Sequence, residues 1–179
     1  MTEQELITSL KNPKTLNSAF KELLSIYKER LYWHIRKIVI NHDDTDDVLQ
    51  NTFIKIYRNI GKFKEDSKLY SWMYRIATNE SITFINQRAK KNNNTTQEVQ
   101  QILLNNLISD EYFDGDEAQI KLQKAIATLP HKQQLVFNMK YFDAIKYKEM
   151  SEILETSEGA LKASYHIASK KIEEYILNN

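Results

Sequence analysis

The sequence predicts an all-α protein made of two small helical units, and three observations predict it. Gly and Pro are scarce, three and two in 179 residues, and β-branched runs are short. Apolar residues recur at helical spacing rather than in strict alternation. The charge also divides the chain. Residues 1–90 carry 15 Lys and Arg against 11 Asp and Glu, residues 91–120 carry 1 against 6, and residues 121–179 carry 9 against 7. Two mildly basic blocks around an acidic segment place one helical domain over 1–90, a linker over 91–116 and a second domain over 117–179. An apolar content of 41% is enough for a packed core.

The first block opens with helical spacing of Phe20, Leu23, Leu24 and Tyr27 from about Leu16 to Ile26. The pattern continues with Leu31, Ile35, Ile38 and Val39 as far as Ile40. It breaks over 41–45, where Asp44 or Thr45 can cap the next helix and Asp46 and Asp47 suit its positive end. That helix buries Leu49, Thr52, Phe53, Ile56 and Ile60, and at about 100° per residue Asp47, Asn51, Ile54 and Arg58 share the opposite face. Ile54 is an apolar residue on a polar face, either an ordinary surface residue or part of a partner-binding patch. Gly61 is expected to end the helix.

A charged loop over 62–66 follows, and Ser67 is a plausible cap for the next helix. Leu69, Trp72, Met73, Ile76, Ala77 and Phe84 form one stripe, so Trp72 and Met73 read first as core. Tyr74, Ile82 and Ile85 lie off that stripe, which suits a central helix covered on several sides. Arg75, Asn79 and Asn86 share the remaining polar face. Glu80 falls within the apolar stripe with no partner evident from the sequence.

From Lys90 the chain turns polar and then acidic, with KKNNNTTQ and DEYFDGDE around a short amphipathic pattern of Val99, Ile102, Leu103 and Leu107. The last block begins with Ile120, Leu122, Ile126 and Leu129, and Pro130 suits the first turn of a helix through Leu135, Val136 and Met139. A short helix over 146–154, a turn over 155–157 and a long helix with Leu161, Tyr165, Ala168 and Ile172 inward make a helix-turn-helix. Ser157 can cap the last helix. Gly159, Lys162, Ala163, His166 and Lys170 lie on its outer side. Small residues there allow close approach to base edges, and lysines can meet phosphates or guanine acceptors.

Several function classes lack support. With no cysteine there is neither a disulfide framework nor a thiolate metal site. The N-terminus lacks the apolar core of a signal peptide, and no run of about 18 apolar residues occurs. No Gly-rich phosphate cradle or nucleophile motif is present, so no catalytic residue and no cofactor is assigned. His42 and its neighbouring aspartates raise a metal-enzyme reading, but converging ligands are lacking and carboxylates at a helix start are commonly caps. A stand-alone helix-turn-helix regulator remains the alternative to a larger assembly. It leaves the aromatic helix and charged loop of the first domain unexplained.

These motifs together resemble the bacterial RNA polymerase sigma factors of the extracytoplasmic-function class. DDVLQNTFIKIYRNIGKF followed by LYSWMYRIATNESITFINQR is similar to the family's second region. LPHKQQLVFNMKYFDAIKYKEMSEILETSEGALKASYHIASKKI is similar to its fourth. The carrying residues are Phe53, Trp72, Arg75, Ile76, Ala77 and Asn79 in the first segment. In the second they are Leu129-Pro130, then Tyr147 to Met150 and Gly159. The chain departs from the pattern at Thr83, at Asn86-Gln87 before Arg88, at the turn residue Glu155, and at Ser164 and Ile167.

The resemblance implies a cytoplasmic transcription initiation factor, not an enzyme, whose partners are core RNA polymerase, promoter DNA and an anti-sigma factor. It implies polymerase binding through Asp47, Gln50, Asn51, Ile54 and Arg58. The minus-ten element would be melted against Lys62, Lys64, Ser67, Arg75, Asn79 and Arg88. The minus-thirty-five element would be read by Ser157, Gly159, Lys162, Ala163, His166 and Lys170. The linker would thread through the polymerase toward the RNA exit path.

Overall fold

A computed structural model describes residues 1–107 and 115–179, with the side chains of residues 96, 97, 100, 103, 106 and 107 outside the description. The described residues form helices, with no strand among them. The side chains of Leu103 and Leu107, and most of the acidic stretch after them, lie outside the description.

The chain starts with a helix the periodicity did not indicate, α1 (Glu3–Lys11). Thr2 and Glu5 close a reciprocal capping box at its start, with the Glu5 amide donating to Thr2 Oγ1 at 3.2 Å and the Thr2 amide donating to Glu5 Oε2 at 2.7 Å. Leu6, Ile7 and Leu10 bury one face. The two helical stretches expected over 16–40 are one helix, α2 (Leu16–Val39), 24 residues long. Ile40 ends it at φ 71°, a left-handed conformation costly for a β-branched residue. Its amide donates to the Arg36 carbonyl at 2.7 Å, the Arg36 guanidinium returns to the Ile40 carbonyl, and its side chain packs on the small clusters around Ile85 and Leu104.

Helix α3 (His42–Asn59) starts earlier than expected. Asn41 is its cap, with Oδ1 accepting from the Asp44 amide at 3.0 Å; Asp44 therefore lies in the first turn and Thr45 is buried inside the helix. The Thr45 and Thr52 hydroxyls donate to carbonyls one turn back, at 2.6 and 2.7 Å, which lets both enter the core without an unmet polar group. Leu49, Thr52, Phe53, Ile56 and Ile60 are buried as expected. Gly61 is not a left-handed stop. It sits in a 3-10 turn (Ile60–Lys62), its φ is not positive, and a Cβ there would meet nothing within 4 Å.

Helix α4 (Leu69–Lys91) is the central helix, packed against α2, α3 and two later helices. Its cap is Lys68, without a side-chain bond, rather than Ser67, whose hydroxyl contacts the Lys68 carbonyl at 3.4 Å. Tyr74 and Ile85 are buried along with Leu69, Met73 and Ala77, so α4 is covered on more than one side. Buried Thr78 and Ser81 donate to carbonyls one turn back, both at 2.7 Å. Glu80 has a partner on the neighbouring helix, an ion pair with Lys55.

Within the expected linker, α5 (Thr96–Leu107) packs Val99 against Ile85 and Ala89 of α4. Helix α6 (Glu117–Ala127) is capped by Asp116, whose Oδ1 accepts from the Gln119 amide at 2.9 Å. Then follow α7 (His131–Tyr141), with Pro130 at its cap, α8 (Tyr147–Leu154) and α9 (Glu158–Asn178). Glu155 adopts φ 52° in the turn between α8 and α9, the left-handed role that glycine fills without steric cost. Ser157 caps α9 as expected, accepting from the Ala160 amide at 3.2 Å. One buried cluster runs from Leu6 and Leu23 through Met73 to Met139, Met150 and Leu161, so both halves of the chain share a core.

Candidate functional site

The outer face of α3 presents Asp47, Gln50, Asn51, Ile54 and Arg58, all exposed. Ile54 is 41% exposed and borders an apolar groove between α2 and α3 with Phe20, Leu24, Phe53 and Tyr57. Phe20 meets Tyr57 edge-on at 5.0 Å, and the Tyr57 hydroxyl donates to Asn17 Oδ1 at 2.9 Å. The sequence pattern did not place the α2 side of this groove. Phe20 and Leu24 showed only helical spacing, and the packing places them at a surface opening.

The loop before α4 forms a second feature. Lys62, Lys64, Ser67 and Arg75 line a cup of about 360 Å³ with Phe63, Asp66 and Trp72. Phe63 is buried and its ring lies 5.1 Å from that of Trp72, so the floor is aromatic and the rim charged. Trp72, read first as core, is half-buried and serves both core and cup. Asn79 shares the Arg75 side of α4 but faces a different cleft, lined also by His131, Ile153, Glu155 and Ser164. Arg88 lies nine residues beyond Asn79, roughly 13 Å along the helix. There it pairs with Asp44 and sits 5.4 Å from the Phe84 ring centre.

On α9, Ser157, Gly159, Lys162, Ala163, His166 and Lys170 are exposed. A Cβ at Gly159 would meet nothing within 4 Å, so the fold does not require glycine there. Lys162 Nζ rests 5.7 Å from the Tyr147 ring centre, which draws its side chain toward α8.

Contacts between the two halves were not legible beforehand. Lys68 pairs with Glu149 at 2.6 Å, Arg75 with Glu155 at 3.4 Å, and Lys37 with Asp143 at 2.5 Å. Burial pushes the Glu149 carboxyl up, but hydrogen bonds from Lys68 and Tyr70 outweigh it and leave the group below its ordinary value. Asp143 follows the same logic, with burial opposed by His34 and Lys37. His34 lies fully inside, its Nε2 2.7 Å from Thr78 Oγ1 and its ring centre 4.6 Å from that of Tyr74. Its Nδ1 stands 3.7 Å from Asp143 Oδ2, a long polar contact from a ring that burial keeps neutral.

Burial dominates at His34 and lowers its pKa below 6.5, and burial does the same at His131. Both rings resist protonation in the folded state, so below pH 6.5 the unfolded chain binds more protons and stability is lost as the pH is lowered. The lowered Asp143 and Glu149 carboxyls act in a separate, more acidic window, starting near their ordinary values of 3.8 and 4.5. Denaturant midpoints should therefore be flat well above pH 6.5 and decline below it. A midpoint that rises as pH falls through this range contradicts the assignment.

His42, the possible metal ligand, has its Nδ1 2.6 Å from the Tyr32 hydroxyl and its Nε2 3.5 Å from Asp46. Both ring nitrogens face protein groups, and among the described residues no cluster of three such side chains converges. No described helix is long and apolar enough to cross a membrane.

One half thus carries a cup lined by aromatic and cationic residues, and the other a helix-turn-helix whose second helix is exposed. Residues 23–91 match the family model for sigma-70 region 2, and residues 119–172 match that for sigma-70 region 4. The chain is 30% identical over 157 residues to the ECF RNA polymerase sigma factor SigW of Bacillus subtilis, covering 83% of each chain. It is 25% identical over 174 residues to the RNA polymerase sigma-H factor of Pseudomonas aeruginosa, covering 87% of this chain and 85% of that protein. The fold is similar to that of CnrH in complex with the cytosolic domain of CnrY (TM-score 0.72, 17% identity, 99% and 98% of the two chains). It is also similar to that of RpoE in complex with the anti-sigma factor NepR from Bartonella quintana (TM-score 0.67, 18% identity, 88% and 96%). The chain belongs to the ECF family of RNA polymerase sigma factors. It is a transcription initiation factor and not an enzyme.

Proposed function

We propose that this sigma factor acts in the cytoplasm, docks on core RNA polymerase through the outer face of α3, and divides promoter recognition between its two halves. The cup beside Arg75 and the Asn79 side of α4 hold the opened minus-ten strand. The exposed side of α9 reads the minus-thirty-five element in duplex DNA. The observation that carries the reading is the cup itself. An aromatic floor under a lysine-bearing rim suits an unpaired base and its backbone, whereas a duplex reader needs only a groove-fitting helix. The α5 segment and the residues after it would serve as the linker along the RNA exit path.

The arrangement of the halves bears on partners. Lys68 and Arg75 are engaged by Glu149 and Glu155, so this face meets DNA only once phosphates replace those carboxylates. The α3 groove lies outside these contacts and can meet the polymerase first. An anti-sigma factor is a further expected partner, as it is for the RpoE protein of similar fold. Equilibrium binding of labelled protein to purified core polymerase tests the reading at its first step. Saturable binding supports it, and DNA binding without any affinity for core would favour a stand-alone regulator.

Duplex reading makes its own prediction. Lys162→Ala should lower affinity for the upstream element. If Lys162 meets a phosphate, the loss is similar across sequences and the salt slope falls by about one unit. If it meets a base, the loss depends on sequence. Titrations across a salt series on the best site and on scrambled sites separate these outcomes. Unchanged affinity on every site would make Lys162 a solvated bystander.

A further inference from the structure

Helix α1 lies outside both family-model matches, the first of which begins at residue 23. It nonetheless touches the melting loop at its middle and at its end. Glu65, in the middle, adopts φ 63°, a left-handed conformation that costs a non-glycine residue energy and persists only where its surroundings impose it. Its carboxylate is held from α1. Lys11 Nζ donates to Glu65 Oε1 at 2.5 Å, and Gln4 Nε2 donates to Glu65 Oε2 at 3.0 Å, so each carboxylate oxygen has its own α1 donor. These same bonds, Lys11 before Gln4, hold the Glu65 carboxyl below its ordinary range.

The second contact is at the loop's end. Lys68, the cap of α4, makes no side-chain cap bond, and the Leu69 amide instead donates to Glu3 Oε1 at 3.3 Å. Glu3 thus supplies from another helix the acceptor that the local sequence lacks. Lys11 also lies 5.8 Å from the ring centre of Phe63, the buried floor of the cup. Helix α1 can serve as a fixed frame because Leu6, Ile7 and Leu10 anchor it in the main core and the capping box orders its first turn.

We propose that α1 is the positioning element of the melting loop, with Gln4 and Lys11 on Glu65 and Glu3 on Leu69 holding the cup in shape before a base enters it. The proposal rests on the base-capture reading of that cup. Its physical basis is preorganisation: a loop already held in its binding geometry does not have to be ordered when the strand opens. None of the three α1 residues needs to touch DNA.

The test uses full-length protein assembled with core polymerase. Gln4→Ala combined with Lys11→Ala leaves the buried face of α1 intact. It should slow open-complex formation on matched duplex about five-fold, the scale of one good exposed charge contact. Affinity for core and the melting temperature should stay at wild-type values, and a pre-melted bubble should erase most of the difference. Lys11→Glu and Glu65→Lys should each slow opening alone, and the two together should recover most of the loss. General destabilisation would not produce that recovery.

Wild-type opening by the Gln4→Ala, Lys11→Ala protein overturns the proposal, as does a charge-swapped protein no faster than either single variant. Shortening the loop itself separates the two levels. If the shortened loop slows opening and the α1 variants do not, only the role of α1 falls. If the shortened loop opens duplex normally, base capture falls and the role of α1 falls with it.

Discussion

Asn79→Ala is expected to leave affinity for core polymerase and for the upstream element near wild type while slowing open-complex formation about ten-fold or more, and removing residues from the loop between Lys62 and Ser67 should slow it further. A base leaving the stack gives up a few kcal/mol that a pocket has to replace. The Asn79 side chain carries both a donor and an acceptor, which a base edge can use. Losing a well-aligned pair of such bonds costs about 1–3 kcal/mol, and each 1.4 kcal/mol is ten-fold. The loop should matter more because it shapes the whole cup, including the Phe63 and Trp72 floor. A template with a pre-melted bubble should rescue much of both defects, since its unstacking cost is already met. Permanganate footprinting on matched duplex and bubble templates measures this. Equal opening by Asn79→Ala and wild type on duplex would make Asn79 structural, in keeping with its place in the cleft facing α7, α8 and α9.

The α3 face carries the second large effect. Ile54→Glu sets a carboxylate at the edge of the groove formed with Phe20, Phe53 and Tyr57, and Asp47→Arg reverses a charge farther along the same face. Both positions are exposed in the isolated protein, so folding should survive. In a desolvated interface the cost of an unmatched charge is about 2–5 kcal/mol, which is thirty-fold or more in affinity. The larger loss is expected for Ile54→Glu, because it combines lost apolar burial with a buried charge. Competition binding to core, paired with thermal melts, checks the outcome. Unchanged affinity in both variants with melting intact would remove this face from the account.

Where helices carry continuous periodic stripes, the structure was legible from the residues. Leu49, Phe53 and Ile56 of α3 and Leu161, Ala168 and Ile172 of α9 sit inside as their spacing indicates, and Ser157 caps α9. Helix ends were less legible, because Asn41, Asp44 and Thr45 are all good caps within five residues and only the packing of Thr45 selects Asn41. At α4 the local sequence offers Ser67, yet Glu3 supplies the bond from elsewhere in the chain. Helix α1 was missed although its Thr-x-x-Glu start is a readable signature, since nine residues are too few for a strong period and its order comes from docking. Glu80 needed Lys55, 25 residues away, to make sense.

The candidate site divides in the same way. Exposure of Asp47, Asn51, Ile54 and Arg58 followed from the geometry of one helix, as did exposure of the outer residues of α9, whereas Gln50 entered only through the family resemblance. The cup required a loop to fold under Trp72, and pairs such as Lys68 with Glu149, 81 residues apart, depend on tertiary packing that no local pattern encodes. Arg88 illustrates the limit. It shares a helix with Arg75 and Asn79, but its partner is Asp44, at the far end from the cup.

The most direct test of the account is transcription with purified core polymerase and this protein on a pool of genomic fragments. The account predicts RNA chains starting at a small set of discrete sites, absent with core alone and lost with Ile54→Glu. Transcripts that start no differently with and without the protein, together with no measurable binding to core, would contradict it.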